Sequence, residues 1–304
     1  LFVPEAIPAL DAAEIAAMAG KSYQELAQWI LGKYLTDYTA EDIADCVAGA
    51  YNINFDTPEI APLVKLNDNE YILELWHGPT AAFKDMALQL TPRLLVKAIE
   101  KLDLQQEVII LVATSGDTGK AALEGFKNVK GTRIIVFYPA HGVSKVQELQ
   151  MVTTDGDNTY VVGVEGNFDD CQSAVKEIFA DRALEAVMAE HGYQFSSANS
   201  INWGRLLPQI VYYFAAYLNL VHQGAVAYGT PVDFVVPTGN FGNILAAWYA
   251  GQMGLPVGKL VCASNKNQVL ADFFASGVYD RRRDFYQTNS PSMDILISSN
   301  LERF

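Results

Sequence analysis

The first residue of this sequence whose position suggests chemistry is Lys84, in the segment His77-Gly78-Pro79-Thr80-Ala81-Ala82-Phe83-Lys84-Asp85. This loop follows an apolar strand, Tyr71–Leu75, and leads into a helix predicted over Met86 to Ala98. A lysine at a helix N-terminus is electrostatically unfavourable, because the helix dipole prefers anions there. In surroundings of low dielectric such a lysine loses its proton more readily and can form a Schiff base with a carbonyl. Most lysines are solvated surface groups, so this interpretation depends on the loops described next.

A second loop, Ala113 to Gly119, directly follows the apolar run Val108–Val112. It offers three hydroxyl side chains, flexible glycines and the free N–H groups of the next helix, which together can hold a carboxylate. The same loop also fits an ordinary strand-to-helix turn with Asp117 or Thr118 as the N-cap. Its sequence does not decide between these two interpretations.

A third loop, Pro237 to Asn243, lies between the apolar run Val232–Val236 and another predicted helix. Its glycines let backbone N–H groups converge on a phosphate, and Gly242 is expected to take a positive φ. The loop lacks the ending of an ATP-type P-loop and the spacing of a dinucleotide site, so it suits a small monophosphate. A reactive lysine, a carboxylate site and a monophosphate site are together what pyridoxal-phosphate (PLP) chemistry requires.

The elements around these loops alternate between strand and helix after about residue 100. This alternation predicts parallel sheets covered on both faces, with ligands bound beyond the carboxyl ends of the strands. The predicted strands are Val108 to Val112, Arg133 to Phe137, Thr159 to Val164, Tyr193 to Phe195, Val232 to Val236 and Leu260 to Ala263. The predicted helices begin near Thr118, Val143, Asp169, Arg205, Phe241 and Gln268.

The first third of the sequence is mainly helical. Capping patterns begin at Asp11, Ser22 and Thr39, each followed three residues later by an acidic residue. Two short apolar runs, 63–66 and 71–75, are joined by Asn67-Asp68-Asn69-Glu70 and predict a β-hairpin.

The length and net charge of the chain disfavour some classes of function. The chain has 304 residues, enough for two or three packed units, and a net charge of −14, which disfavours nucleic acid and anionic membranes as partners. No apolar run is long enough to span a bilayer.

The three cysteines, Cys46, Cys171 and Cys262, form no metal or disulfide pattern and fit a reducing cytoplasm, so no metal site is expected. The chain begins without methionine and ends where Asn300 resembles a helix N-cap, so a fragment of a longer protein is expected.

In their order along the chain, these motifs resemble those of the threonine synthases, which are fold type II (tryptophan-synthase-like) PLP enzymes. The resemblance covers essentially the whole chain. It is carried by His77-Gly78-Pro79-Thr80 with Phe83-Lys84-Asp85, Ala113 to Gly119, Ser197-Ala198-Asn199-Ser200-Ile201-Asn202 with Arg205, and Gly239 to Asn243. It implies an α/β fold of two interleaved parallel-sheet domains. The expected boundaries are 1–75 for a helical segment with the hairpin, 76–105 and 200–304 for a large PLP-binding domain, and 106–199 for a smaller α/β domain.

The resemblance also implies a reaction and a role for each matching residue. The reaction would convert O-phospho-L-homoserine and water to L-threonine and phosphate, with Lys84 holding PLP and moving protons. The cofactor would also contact Asp117, Gly239, Asn240, Phe241, Gly242 and Asn243. The substrate carboxylate would be held by Thr114, Ser115, Gly116 and Thr118, and the substrate phosphate by Asn199, Ser200 and Arg205.

Other functions stay open on the sequence. Another fold type II enzyme, such as a threonine dehydratase or a cysteine synthase, would need no second phosphate pocket, so Asn199 to Arg205 discriminates against it. Arg205 could instead be an ordinary arginine on a helix surface. In the family the chain continues well beyond residue 304, so a non-catalytic PLP-binding fragment is a further alternative.

Overall fold

Strands and helices alternate along most of the computed structural model, which describes residues 1–114 and 116–304. The strands are β1 (Leu63–Lys65), β2 (Tyr71–Leu73), β3 (Glu107–Ala113), β4 (Thr132–Pro139), β5 (Thr159–Val164), β6 (Tyr193–Ser197), β7 (Val232–Pro237) and β8 (Val257–Ala263). The helices are α1 (Ala12–Ala16), α2 (Tyr23–Tyr34), α3 (Ala40–Ala50), α4 (Asp85–Leu88), α5 (Thr91–Lys101), α6 (Asp117–Phe126), α7 (Lys145–Val152), α8 (Phe168–Ala180), α9 (Arg182–Glu190), α10 (Trp203–His222), α11 (Gly242–Gln252) and α12 (Val269–Ser276), with 3₁₀ turns at Pro291–Met293 and Ser299–Arg303.

Side-chain caps begin the first three helices, as the sequence predicts. The carboxylate of Asp11 accepts the backbone N–H of Glu14 at 2.8 Å, and the hydroxyl of Ser22 accepts that of Glu25 at 3.2 Å. Thr39 accepts the N–H of Asp42 in the same way, at 3.1 Å. Each cap satisfies a helix N–H that has no partner within the helix.

A four-stranded parallel sheet in the order β5-β4-β3-β6 occupies the middle of the chain. Alternate residues of β3 point to opposite faces, and both faces are covered. Ile110 and Val112 pack with α6, whereas Ile109 and Leu111 pack with Cys171 and Val175 of α8. The prediction of a doubly covered parallel sheet is therefore confirmed.

A second parallel pair, β7 with β8, lies later in the chain beside α10 and α11. Helix α10 is buried along most of its 20 residues, and its Phe214 packs edge-on against Trp29 of α2 with ring centroids 5.7 Å apart. The predicted hairpin is present as the antiparallel pair β1 and β2, in which Leu63 faces Leu73.

The prediction of one helix over Met86 to Ala98 is wrong in one respect. The structure has two helices there, α4 and α5, separated by a turn at Gln89 and Leu90. Pro92 explains the break, since it has no N–H to donate to the carbonyl of Leu88 and its ring would clash with that carbonyl. The Leu88 carbonyl oxygen instead lies against Gly125, where an added Cβ would be only 2.1 Å away.

Residue contacts divide the chain into two units. One comprises residues 1–48, 56–75 and 200–304, and the other comprises 49–55 and 76–199. These units are groups of residues in mutual contact, and the domain boundaries expected from the sequence stay a prediction. In the described part of the chain, no helix combines the length and the apolar character needed to cross a membrane.

Candidate active site

Lys84 lies in the unit that contains residues 76–199, at the position immediately before α4. Its side chain is buried, with the residue only 8% exposed, and Nζ donates a hydrogen bond to Oδ1 of Asp117 at 2.6 Å. Asp117 is the first residue of α6 and directly follows the second loop. The position of Lys84 excludes the interpretation of an ordinary solvated lysine.

Asp85 holds the loop that presents Lys84. Its carboxylate accepts the backbone N–H of Thr80 at 2.8 Å and the hydroxyl of the same residue at 2.7 Å. Gly78 lies so close that an added Cβ would be 2.6 Å from the Asp85 Cβ, and Ala81 takes a left-handed φ of 54°. Burial raises the pKa of Asp85, although its hydrogen bonds to Thr80 and Ala82 act in the opposite direction.

Thr114 organises the second loop with its own hydroxyl. Its Oγ1 accepts the N–H groups of Gly116 and Gly119, both at 3.0 Å, and is buried. Gly116 has a φ of 155° and an added Cβ would lie 2.3 Å from the Gln147 side chain, so this position requires glycine. Thr118 is half-buried in the first turn of α6, whereas Ser115 lies outside the described residues.

Asn199 stands just beyond the end of β6. Its Nδ2 donates to the carbonyl of Ala113 at the end of β3, at 3.2 Å, and its N–H donates to the Ser197 hydroxyl at 3.2 Å. The carboxyl ends of two neighbouring strands are thereby tied together beside the second loop. This edge of the sheet is where parallel α/β folds bind ligands.

The third loop, between β7 and α11, belongs to the other unit. Within the described residues, the backbone N–H groups of Asn240, Phe241, Gly242 and Asn243 donate to no protein acceptor. The expectation that Gly242 takes a positive φ is wrong, because Phe241 is the left-handed residue, with a φ of 68°. The buried Phe241 ring packs against Phe274 with centroids 6.0 Å apart, which holds this unfavourable backbone conformation in place.

Two hydrogen bonds that the sequence did not predict hold the third loop, and both come from residues near the C-terminal end of the chain. The hydroxyl of Ser298 donates to the Gly239 carbonyl at 2.6 Å, and the N–H of Asn300 donates to the Asn240 carbonyl at 3.1 Å. The interpretation of Asn300 as a helix N-cap is wrong, since it lies inside the 3₁₀ turn Ser299–Arg303 and is fully buried. The polar run Ser298-Ser299-Asn300 is the sequence signal that could have indicated this role.

Ser200 and Arg205 belong to the same unit as the third loop. The Ser200 hydroxyl lies 3.2 Å from that of Ser299, and the Ser200 carbonyl accepts from Asn300 Nδ2 at 3.1 Å. Arg205 is in the first turn of α10, whose N-cap Asn202 accepts the N–H of Gly204 at 2.8 Å. Arg205 is only 4% exposed, so it is not a surface arginine.

Each unit contains a feature that fits one part of PLP. The buried amine of Lys84 suits covalent attachment of an aldehyde, and the N–H groups at the start of α11 suit a dianionic phosphate. Among the side chains that the structure describes, no group of three or more histidine, cysteine or acidic residues is placed to hold a metal.

Comparison with known proteins gives two family matches. Residues 56–301 match the family described as pyridoxal-phosphate dependent enzyme, and residues 1–51 match the one described as threonine synthase N terminus. A threonine synthase from Pseudomonas aeruginosa is 44% identical over 307 residues, covering 100% of this chain and 62% of that protein. Human threonine synthase-like 1 is 49% identical over 313 residues, covering 100% of this chain and 42% of that protein.

Solved structures that superpose on this chain include two threonine synthases. PLP-bound threonine synthase from Brucella melitensis superposes with a TM-score of 0.90 at 42% identity, over 100% of this chain and 62% of the other. The yeast threonine synthase gives a TM-score of 0.89 at 39% identity, over 100% of this chain and 60% of the other. The chain thus has the fold of fold type II PLP enzymes and spans about three fifths of these two structures.

Proposed function

Because the chain belongs to the family of pyridoxal-phosphate dependent enzymes, we propose that it carries the catalytic lysine and the phosphate sites of a threonine synthase. The proposed reaction converts O-phospho-L-homoserine and water to L-threonine and phosphate, in the cytoplasm. The match of residues 1–51 to the threonine synthase N terminus supports this enzyme over a dehydratase or a cysteine synthase.

The observation that carries the proposal is the buried Lys84 paired with Asp117 at 2.6 Å. Burying an ammonium group costs free energy that a surface lysine avoids, and the carboxylate of Asp117 offsets part of that cost. A buried ionisable group beside a specific charge partner is a candidate for a functional site.

When bound, PLP supplies an electron sink that stabilises negative charge on the substrate carbon skeleton. Lys84 would hold the cofactor covalently, and its amine would carry protons to and from the substrate carbons as general base and acid. Asp117, which accepts a hydrogen bond from Lys84, would also contact the cofactor. Asn240 to Asn243 donate backbone N–H groups to the cofactor phosphate, and Gly239 completes that loop.

The remaining predicted residues orient the substrate. The loop at 114–118 holds the substrate carboxylate, with Thr114 fixing the loop through its bonds to Gly116 and Gly119. Asn199, Ser200 and Arg205 hold the substrate phosphate. A protein with a net charge of −14 needs a fixed cation to attract a dianion, and a planar guanidinium pairs well with phosphate oxygens.

An absorption spectrum of the purified chain with PLP tests the cofactor assignment, because a lysine Schiff base absorbs in the visible region. Phosphate release from O-phospho-L-homoserine, measured on a protein that also contains the remainder of the relatives' length, tests the reaction. Absence of the Schiff-base band would refute PLP binding. Turnover of unphosphorylated serine or threonine in place of O-phospho-L-homoserine would favour a dehydratase.

A further inference from the structure

Asn300 joins two segments that the proposed function assigns to different phosphates, one through its backbone N–H and the other through its carboxamide. The backbone N–H of Asn300 donates to the Asn240 carbonyl at 3.1 Å, in the loop assigned to the cofactor phosphate. Its Nδ2 donates to the Ser200 carbonyl at 3.1 Å, in the segment assigned to the substrate phosphate. One buried residue therefore fixes the backbone of both segments.

The same carboxamide explains a glycine of the loop. A Cβ added to Gly242 would lie 3.2 Å from Asn300 Nδ2, which is closer than most real contacts of a Cβ. Gly242 itself has no left-handed φ, so its lack of a side chain is needed for the approach of Asn300 and not for its backbone conformation.

Arg303 fixes Asn300 in turn. Its Nη1 donates to Asn300 Oδ1, its Nη2 to the Ile201 carbonyl at 2.5 Å, and its Nε to the Phe2 carbonyl at 2.9 Å. In the described part of the chain Arg303 forms no ion pair with a carboxylate. Burial lowers the pKa of Arg303, and the neighbouring charge of Glu302 acts in the opposite direction. An arginine keeps its charge in proteins, so a buried cation contacts the side chain of Asn300.

We propose that Asn300 and Arg303 are positioning residues of the cofactor phosphate site. Asn300 holds the loop 239–242 in its binding geometry, and Arg303 orients the Asn300 carboxamide and adds a positive charge that favours the dianion. This inference rests on the proposed function, because it assumes that the loop binds the phosphate of PLP.

The test is PLP affinity, measured by titrating the chain and following the Schiff-base absorbance. Asn300→Ala and Arg303→Met should each weaken PLP binding about tenfold, because each breaks the hydrogen bond between the two side chains, and Asn300→Ala also removes the carboxamide that lies against Gly242. Arg303→Lys keeps the charge and part of the bonding, so it should bind PLP within about threefold of the parent. Glu302→Gln is the matched control, since Glu302 lies in the same turn with its side chain 74% exposed, and it should leave the affinity unchanged.

A double-mutant cycle separates positioning from a general loss of stability. Gly242→Ala should weaken PLP binding in the parent, because its methyl group displaces the Asn300 carboxamide. In the Asn300→Ala background that carboxamide is absent, so the same methyl group should have a smaller effect. Independent effects would multiply instead, and that result would refute the coupling.

The outcomes distinguish this inference from the proposed function. A parent chain without any Schiff-base band would refute the proposed function itself. A parent that binds PLP, with Asn300→Ala and Arg303→Met within twofold of its affinity, would refute only the positioning role. Melting temperature and circular dichroism identify a variant that fails to fold. In that case Gly242→Ala decides, and an affinity within twofold of the parent in that variant would overturn the inference.

Discussion

The Nζ atom of Lys84 lies 2.6 Å from the Oδ1 atom of Asp117, and each residue stands at the N-terminus of a helix. A helix N-terminus stabilises a carboxylate and disfavours an ammonium group. Asp117 is therefore in a favourable position, and it supplies the counter-charge that lets Lys84 occupy an unfavourable one. Lys84 is thus kept buried in a loop whose shape is set by Asp85 and Thr80.

The first prediction concerns covalent attachment. Lys84→Ala should abolish the Schiff base with PLP and leave the fold intact, because the amine is lost while the loop keeps its Asp85 bonds. Borohydride reduction followed by peptide mapping should place the label on Lys84 in the parent. Lys120→Ala is the control, since Lys120 is also partly buried and paired with Glu124 at 2.9 Å. A label on any lysine other than Lys84 would refute the assignment.

The second prediction concerns the pH dependence of stability at Asp85. Burial raises its folded-state pKa above the ordinary value of 3.8, so the folded protein binds this proton more tightly than the unfolded chain does. The contribution of Asp85 to the free energy of unfolding should therefore fall as pH rises from about the ordinary pKa to the higher folded-state value.

Asp85→Asn removes this titration. Urea unfolding at a series of pH values should show that the difference in unfolding free energy, parent minus Asp85→Asn, becomes smaller as pH rises through that window. Asp68→Asn, at an exposed aspartate of the hairpin turn, serves as the control. A parent-minus-variant difference that grows with pH would mean that the pKa of Asp85 is lowered in the folded state.

The third prediction concerns Gly116. Gly116→Ala should lower the free energy of unfolding by about 2–4 kcal/mol, through backbone strain and overpacking against Gln147. Gly192→Ala should cost only about 1–2 kcal/mol, because Gly192 has a left-handed φ of 80° and open space around it. Denaturant titration compares the two variants. An equal loss in both would show that neither the φ of 155° nor the Gln147 side chain makes Gly116 the more restricted position.

The fourth prediction concerns substrate choice and depends on the proposed reaction. Arg205→Leu should reduce kcat/KM for O-phospho-L-homoserine by an amount equivalent to about 1.5–3 kcal/mol, because a charge-assisted bond to the phosphate is lost. PLP affinity should stay unchanged. Arg182→Leu is the control, as Arg182 is exposed and pairs with Glu185. Steady-state phosphate release measures the effect, and an unchanged kcat/KM would argue for the dehydratase alternative.

Much of the fold follows from local patterns. The β-branched runs predicted β3, β4, β5 and β7 to within two residues at each end, because period and apolar character are properties of neighbouring residues. The caps at Asp11 and Ser22 were predictable for the same reason, as both partners lie within one turn. Pro92 is a local signal of the break between α4 and α5, because a proline cannot continue the hydrogen bonding of the preceding helix.

The sequence by itself determined the fold class, the three loops at strand ends and the candidate lysine. Only the tertiary structure decided that Lys84 is paired with Asp117, that Arg205 is buried, and that the third loop is held by Ser298 and Asn300. These contacts join residues 33 to 60 positions apart, and their formation depends on how distant elements pack. The left-handed conformation of Phe241 in the third loop also depends on tertiary packing and could not be predicted from the sequence. Local preference favours glycine there, but packing of the Phe241 ring against Phe274 stabilises that conformation in a phenylalanine.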